Sequence, residues 1–91
     1  MNEKLLELYE RCKRHNIGIT IKTCLSDGWF EIRGETLAYW KNRGKYEHLY
    51  NQKVVTIDDL ESYTIDIFEY TINQIFQELI EERRRLEDVQ N

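Results

Sequence analysis

Residues 56–91 contain neither glycine nor proline, and this uninterrupted stretch limits the possible folds more than any other feature of the sequence. Those two residue types are the ones that most often end or bend a helix. Thr56 is a suitable N-cap, and Asp58 and Asp59 suit the positive end of a helix dipole. Apolar side chains then recur at the spacing of one helical face, so we predict a helix over about residues 57–88. Its broad apolar face consists of Ile57, Leu60, Ile65, Phe68, Ile72, Ile75, Phe76, Leu79 and Leu86.

The first half of the chain predicts one helix and the start of an antiparallel sheet. Residues 3–15 carry apolar side chains at helical spacing, so they predict an amphipathic helix. Residues 18–25 alternate between apolar and polar side chains, as a strand does. The pair Asp27-Gly28 is a strong signal for a hairpin turn, and residues 29–33 alternate again. We therefore predict two strands joined by a tight turn.

The middle of the chain completes the predicted fold. Gly34 is expected to end the second strand, because glycine weakens a strand interior. Residues 36–41 predict a third strand, and the turn signal at 42–44 leaves a fourth strand over residues 46–50 as an open alternative. A chain of this length fits one α+β domain over residues 1–91. We expect an N-terminal helix, an antiparallel meander of three or four strands, and the long C-terminal helix packed on the sheet.

The predicted C-terminal helix is long for such a domain. About 30 helical residues span roughly 45 Å, whereas a strand of about six residues covers only about 20 Å. Its last turns would then project into solvent or be covered by a second copy. The arginines of residues 83–85 lie among acids, which predicts a solvated end that pairs with itself. A second stripe, formed by Tyr63, Ile67 and Tyr70, predicts either packing of the first helix or an oligomer contact. A homodimer is the assembly that we expect.

Composition limits the compartment and the chemistry. Charged residues make up 33% and apolar residues 41%, which is typical of a folded chain. No apolar run approaches the roughly 20 residues that span a bilayer, so we expect no membrane contact. The N-terminal helix is amphipathic and carries Glu3, Glu7 and Glu10, so it suits neither a secretory signal nor a transit peptide. Two cysteines without a signal predict reduced thiols. We therefore expect a cytoplasmic protein.

Residues 39–53 combine aromatic and basic side chains more densely than any other segment. Aromatic rings stack on bases or on partner side chains, and cations bind phosphates or carboxylates. On a hairpin, the basic residues would cluster near the tip. Three interpretations stay open: an ordinary hairpin, a surface for a protein partner, or a nucleic-acid site. The predicted partner-binding residues are Tyr39, Trp40, Lys41, Arg43, Lys45 and Tyr46.

The sequence offers little basis for catalysis or metal binding. A zinc site could be imagined from Cys12, His15, Cys24 and His48, but their spacing matches no zinc motif. There is no glycine-rich phosphate loop, and no cysteine is followed by a motif that would activate it as a nucleophile. We expect no enzyme activity, no catalytic residues, no metal and no cofactor.

A small non-catalytic protein–protein interaction module is therefore the predicted function. In general character the chain resembles many small proteins of bacterial phages and mobile elements, which often act by binding a host protein. One alternative is nucleic-acid binding through residues 39–53. Another is inhibition by an acidic surface that imitates nucleic acid, using the carboxylates of residues 58–88, since the second half of the chain is strongly acidic.

Overall fold

The computed structural model describes residues 3–56 and 66–88 and shows an α+β fold with a three-stranded antiparallel meander. In chain order the elements are α1 (Glu3–His15), β1 (Gly18–Cys24), a 3-10 turn (Leu25–Asp27), β2 (Trp29–Trp40), β3 (Lys45–Thr56) and α2 (Asp66–Glu87). The strands lie in the order β1-β2-β3. The predicted fold class is confirmed: a helix, a meander of three strands, and a C-terminal helix that packs on the sheet.

The end of α1 turns the chain directly into the sheet. Asn16 adopts a left-handed conformation with φ of 54°, and the Ile17 amide donates to the Cys12 carbonyl at 3.0 Å. Hydrogen bonds of this kind satisfy carbonyls that a helix end leaves unpaired. Ile17 is buried in the core, so the turn is anchored on its apolar side as well.

Strand β2 does not end at Gly34, which corrects the expected division into strands over 29–33 and 36–41. Gly34 pairs with Ile19 of β1 and Asn51 of β3 within one continuous strand. A Cβ atom at this position would lie 2.4 Å from Cγ2 of Ile75 and 2.9 Å from Cδ1 of Leu79. The glycine therefore marks the place where α2 approaches the backbone of the sheet most closely, a known role of glycine in strands.

Strand β3 is longer than expected and includes Thr56. The segment predicted as a fourth strand over 46–50 is the first part of β3, which continues through Val54 and Val55. Thr56 is paired with Trp29 of β2, so in the structure it is the last residue of a strand. Consecutive β-branched residues favour extended backbone, which explains this outcome. Residues 57–65, where the predicted helix begins, lie outside the described residues.

One face of the sheet packs on α2 and forms the core. Fully buried side chains from the strands meet those of the helix, and Phe30 contacts Phe68 edge to face with ring centroids 5.4 Å apart. The buried cluster consists of Ile17, Ile32, Val55, Ile72, Ile75, Phe76 and Leu79. Because adjacent residues of a strand face opposite sides, these contacts leave the other side of the sheet uncovered by α2. We call that side the open face.

Over the described residues, α2 is no longer than the sheet on which it packs, because the strands are longer than the sequence predicted. The 22 residues of α2 span roughly 33 Å, and a strand of 12 residues spans about 40 Å. At the far end of the sheet, the Lys41 amide donates to the Leu86 carbonyl at 3.2 Å, and Leu86 is buried. The sheet therefore accommodates the described helix to its last turn.

Helix α1 lies beside α2. Lys4 forms an ion pair with Glu69 at 2.7 Å, and the Arg11 guanidinium lies over the Phe76 ring at 4.3 Å from its centroid. His15 contacts the same ring edge to face. Neither described helix combines the length and the apolar character needed to cross a bilayer.

Candidate functional site

The predicted partner-binding residues all lie on the hairpin of β2 and β3, but they do not form one surface. Tyr39 and Tyr46 are direct cross-strand partners on the open face, with ring centroids 5.3 Å apart at an interplanar angle of 65°. Edge-to-face pairs of this kind are favourable beyond the area that they bury. Tyr46 is 69% exposed and Tyr39 is 43% exposed. The structure therefore brings these two predicted residues together on an accessible surface.

The other four predicted residues form the tip of the hairpin. Arg43 folds back over Trp40, with its guanidinium 4.3 Å from the ring centroid, and its amide donates to the Trp40 carbonyl at 3.0 Å. Gly44 adopts a positive φ of 60°, and its amide donates to the same carbonyl. Lys41 and Lys45 flank this turn, and both are exposed. Trp40 and Lys45 face away from the tyrosine pair, because they occupy the alternate positions of their strands.

Three further residues extend the tyrosine pair, and the sequence analysis did not assign them to a site. Leu37 and His48 form the next cross-strand pair on the open face, and Tyr50 follows opposite Glu35. Leu37 and Tyr50 are both well exposed, and His48 packs against Tyr50 with ring centroids 5.8 Å apart. In a strand, residues 46, 48 and 50 share one face, so this spacing could have predicted that His48 and Tyr50 lie beside Tyr46. We call the combined surface the tip patch; it consists of Leu37, Tyr39, Tyr46, His48 and Tyr50.

Charged groups beside the tip patch balance one another. Arg33 pairs with Glu35 at 2.8 Å, and its guanidinium lies 4.6 Å from the centroid of the Tyr50 ring. Nε2 of His48 lies 4.0 Å from the same Glu35 carboxylate. Further from the tip, Lys22 is the direct cross-strand partner of Glu31. The open face thus carries acids and bases in equal measure and has no strong electrostatic sign.

The structure describes only part of the predicted oligomer contact, which consists of Tyr63, Ile67 and Tyr70. Tyr63 lies outside the described residues, and Ile67 belongs to the first turns of α2. The Tyr70 side chain is 59% exposed, and its hydroxyl accepts a hydrogen bond from Gln74 at 3.1 Å. Helix α1 meets α2 along Glu69 and Phe76, and Tyr70 keeps most of its surface exposed beside that contact. The oligomer contact therefore stays a prediction.

Arg83 has a different role from the one its acidic neighbours predicted. Its Nη1 donates to the His15 carbonyl at 2.6 Å and to Oγ1 of Thr36 at 3.0 Å. The Thr36 hydroxyl in turn donates to the Asn16 carbonyl at 2.7 Å. Arg83 therefore joins α2 to the end of α1 and to β2, whereas Arg85 pairs with Glu82 at the surface, as expected. No local sequence pattern predicts these contacts, because the three elements meet only in the folded chain.

A cavity of about 730 Å³ opens beside this network, at the edge of β2. It lies where β1 begins, since Gly18 is the first residue of β1 and pairs with Glu35 of β2. Residues of the tip patch form one wall, and the network around Arg83 forms another. The cavity is lined by Arg14, His15, Asn16, Gly18, Glu35, Thr36, Leu37, Tyr46, His48, Arg83 and Glu87.

The cysteines and histidines do not converge. Over residues 3–56 and 66–88, no group of three or more potential metal ligands is placed to hold an ion. Both Cys12 and Cys24 are free thiols, and partial burial raises the pKa of the Cys12 thiol, which makes the reactive thiolate scarcer.

Comparison with models of protein families, with curated proteins and with solved structures gives no significant match.

Proposed function

We propose that this protein is a non-catalytic protein–protein interaction module whose tip patch binds the surface of a folded partner protein. The observation that carries the proposal is the grouping of Leu37 and three tyrosines on one open sheet face, all well exposed. Contiguous apolar surface on a small domain is typical of an interaction site. Tyrosine is enriched at such sites because it buries a large area and keeps a hydroxyl for water or a partner.

The chemistry of the open face favours a partner that is apolar and close to neutral at the contact. The ion pair of Arg33 and Glu35 borders the patch and already satisfies both charges. Three tyrosines at these exposures offer about 350 Å² of accessible surface, close to half of what one side of a standard protein interface buries. Leu37, His48 and the bordering residues supply further area, so the patch fits a contact of modest size.

Nucleic-acid binding through residues 39–53 is the alternative that the same surface leaves open. Aromatic side chains can stack on bases, and Lys41 and Lys45 are exposed at the tip. Affinity for nucleic acid, however, comes mainly from basic groups that contact phosphates. The open face around the tyrosines is balanced in charge, and Arg43 is stacked on Trp40. A protein partner therefore fits the surface better.

Imitation of nucleic acid by the acidic helix receives less support. Within the described part of the chain, several of the helix carboxylates are engaged by bases or amides of this same protein. Glu69 pairs with Lys4, Glu78 pairs with Lys53 at 3.3 Å, and Glu82 pairs with Arg85. A surface whose acids are already paired presents a weaker negative field to a nucleic-acid-binding protein.

We place this activity in the cytoplasm. Both cysteines are free. Reduced thiols are the usual state of cysteine in a cytoplasmic protein.

Photo-cross-linking followed by binding measurements tests the proposal. A photoreactive phenylalanine analogue replaces Tyr46 in one variant and Tyr70 on α2 in the matched control, and each is irradiated in the native cell. The protein captured only from position 46 is then purified and titrated against the wild type. We expect Tyr46→Ser with Tyr50→Ser to weaken this binding by more than about tenfold, and Tyr70→Ser to leave it unchanged.

Two outcomes would overturn the proposal. One is equal binding of the purified protein to the wild type and to the Tyr46→Ser, Tyr50→Ser variant. The other is tight binding of a labelled single-stranded RNA or DNA oligonucleotide that requires Tyr46 and weakens steeply with salt, which would establish the nucleic-acid alternative.

A further inference from the structure

The outer edge of β3 is free, because β3 is the last strand in the order β1-β2-β3. Within residues 3–56 and 66–88, no other element forms a backbone hydrogen bond with residues 45–55 along this edge. A cavity of about 430 Å³ lies beside it, lined by the consecutive residues 48–51 of β3 and by Glu78, Leu79 and Glu82 of α2. Neighbouring strand residues face opposite sides, so a cavity that all four of them border lies at the strand edge. The space and the unpaired backbone together can accept another strand.

The backbone at the hairpin turn shows which residues of β3 point outward. The Trp40 carbonyl accepts a hydrogen bond from the Gly44 amide, so it is directed across the hairpin, whereas the Lys41 amide is directed away from it. Trp40 therefore exchanges hydrogen bonds with its partner Lys45. Because the pairs of an antiparallel ladder alternate, the amides and carbonyls of residues 46, 48, 50, 52 and 54 are directed to the free edge.

From these observations we propose that a second copy of this chain pairs along this edge, with the two β3 strands antiparallel about a two-fold axis at Tyr50. Tyr50 then lies opposite Tyr50 of the second copy, and residues 46–54 pair with the same residues of the second copy in reverse order. The outward residues exchange about ten hydrogen bonds across the axis. Symmetric pairing of this kind closes on itself and gives a dimer. The proposal goes beyond the tip-patch function, because it concerns the edge of β3 and a copy of the same chain.

The exposed apolar residues of β3 support this register. Tyr46, Tyr50 and Val54 are all well exposed, and their spacing places them on the open face. With the axis at Tyr50, each Tyr46 lies opposite Val54 of the second copy, and the two Tyr50 side chains face each other. Aromatic–aromatic and aromatic–β-branched pairs are favourable across antiparallel strands. The tip patches of the two copies thereby join into one continuous surface.

The charged residues of β3 favour the same register. Glu47 and Lys53 lie on the face that α2 covers, and each would lie opposite the other residue of the second copy, once on either side of the axis. An axis at Leu49 would instead bring Lys45 opposite Lys53, and like charges in that position are destabilising. Charged residues usually protect an edge strand from pairing. Here they complement each other when the axis is at Tyr50.

The helices leave room for this assembly. The closest approach of α2 to the sheet is at Gly34 of β2, one strand inside the free edge. In the joined sheet the two β2 strands are three strand spacings apart, about 14 Å, which exceeds the roughly 8–10 Å between packed helices. Glu78 and Glu82 extend from α2 into the space between. Each already has a base of its own chain beside it, Lys53 and Arg85 respectively, so the charges near the axis are balanced.

Sedimentation velocity with two charge variants tests the dimer. We expect the wild type to dimerise as its concentration rises. Glu47→Lys and Lys53→Glu each place like charges opposite one another across the axis, so each should weaken dimerisation by more than about tenfold. An equimolar mixture of the two variants should restore the dimer, because every lysine at these positions then faces a glutamate. Both side chains are partly exposed, so the subunit fold is expected to survive, which circular dichroism checks.

Glu10→Lys is the matched control, because it makes the same change of charge at an exposed position of α1 and should leave the dimer intact. A wild type that stays monomeric would overturn the proposal. So would a Glu47→Lys variant that dimerises as well as the wild type, or a mixture of the two folded variants that stays monomeric.

Disulfide cross-linking tests the register without changing a charge. Cα atoms of residues that face each other in a hydrogen-bonded pair are about 5.5 Å apart, within the range that a disulfide spans. Tyr50→Cys should therefore form a covalent dimer on mild oxidation. Gln52→Cys should give no more than the background from Cys12 and Cys24, because the two copies of residue 52 lie about 14 Å apart along the strands. Equal cross-linking of both variants would overturn the register.

The dimer and the tip-patch function can fail separately. Glu47→Lys keeps every side chain of the tip patch, so binding of this variant to the captured partner measures the patch without the dimer. A monomeric wild type that binds the partner through Tyr46 and Tyr50 would remove the dimer alone. A wild-type dimer whose Tyr46→Ser, Tyr50→Ser variant binds the partner as well as the wild type would remove the tip-patch function alone.

Discussion

The two faces of β2 carry different kinds of side chain, although both belong to one regular strand. Phe30, Ile32 and Ala38 point toward α2, and Ile32 and Ala38 are fully buried. Leu37 and Tyr39, one residue away from Ala38 on either side, lie on the open face and are exposed. An antiparallel sheet normally presents polar side chains on its open face. The open face near Lys22, Glu31 and Arg33 follows that rule apart from Val54, which is the partner of Glu31 and is exposed. The tip patch departs from it over several adjacent positions.

This difference indicates which apolar residues stabilise the fold. One helix covers one face of a sheet, so the apolar groups under α2 account for the core. Those of the tip patch contribute little to it within the described part of the chain. The comparison therefore predicts that changes on the two faces separate stability from binding.

The largest expected effect comes from truncating a buried side chain of the covered face. Ile32→Ala should lower the free energy of unfolding by about 2–5 kcal/mol, because Ile32 is completely buried and its loss leaves a cavity. Leu37→Ala, the matched change on the open face of the same strand, should cost less than about 0.5 kcal/mol. Urea denaturation followed by circular dichroism measures both. Equal losses would show that the open face is part of the core.

Gly34→Ala should destabilise the domain by about 1–3 kcal/mol, since its Cβ would overlap Cγ2 of Ile75. Gly18→Ala is the control, because space is open there and little change is expected. In a double-mutant cycle, Ile75→Ala should offset part of the Gly34→Ala cost, by at least about 0.5 kcal/mol. Strictly additive costs would contradict the close contact between helix and strand.

Loss of the Arg83 network should have a smaller effect. Arg83→Met removes the donor to the His15 carbonyl while keeping much of the aliphatic stem, so we expect a loss of about 1–2 kcal/mol in the free energy of unfolding. Arg84→Met changes a neighbouring exposed arginine and should be close to neutral. If both variants unfold at the same denaturant concentration as the wild type, the arginine does not hold α1 in place.

The sequence predicted the parts of this fold that depend on local pattern. Helix α1 has the bounds that its apolar spacing predicted, and the turn at Gly28 joins two strands as expected. The error at Gly34 arose because a strand glycine looks like an interruption until the side chains of a distant helix are placed beneath it. The sequence predicted strands of about six residues, whereas β2 and β3 have 12 residues each.

The candidate site could be predicted only in part, for a similar reason. Tyr39 and Tyr46 stood out by composition, and pairing them needed only the turn between them. Leu37 lies beside them because β2 is one continuous strand paired with β3, whereas the sequence predicted two separate strands there. The contacts of Arg83 and the cavity beside them depend on where β1 begins relative to β2, and no local pattern carries that information.

The smallest expected effect concerns the ion pair of Glu82 and Arg85 on the exposed surface of α2. A hydrogen bond from Arg85 lowers the pKa of Glu82, so the pair stabilises the folded state where the carboxylate is ionised in both states. That contribution is present above the pKa of the unfolded chain and is lost as the pH falls through the lower pKa of the folded state. Glu82→Gln should therefore be slightly less stable than the wild type at neutral pH, and the difference should vanish on acidification. High salt should also reduce it, because both side chains are solvated. In the Glu82→Gln background, Arg85→Met should cause no further loss in the free energy of unfolding. If the difference in stability between Glu82→Gln and the wild type persisted in acid, Glu82 would stabilise α2 by some contact other than this ion pair.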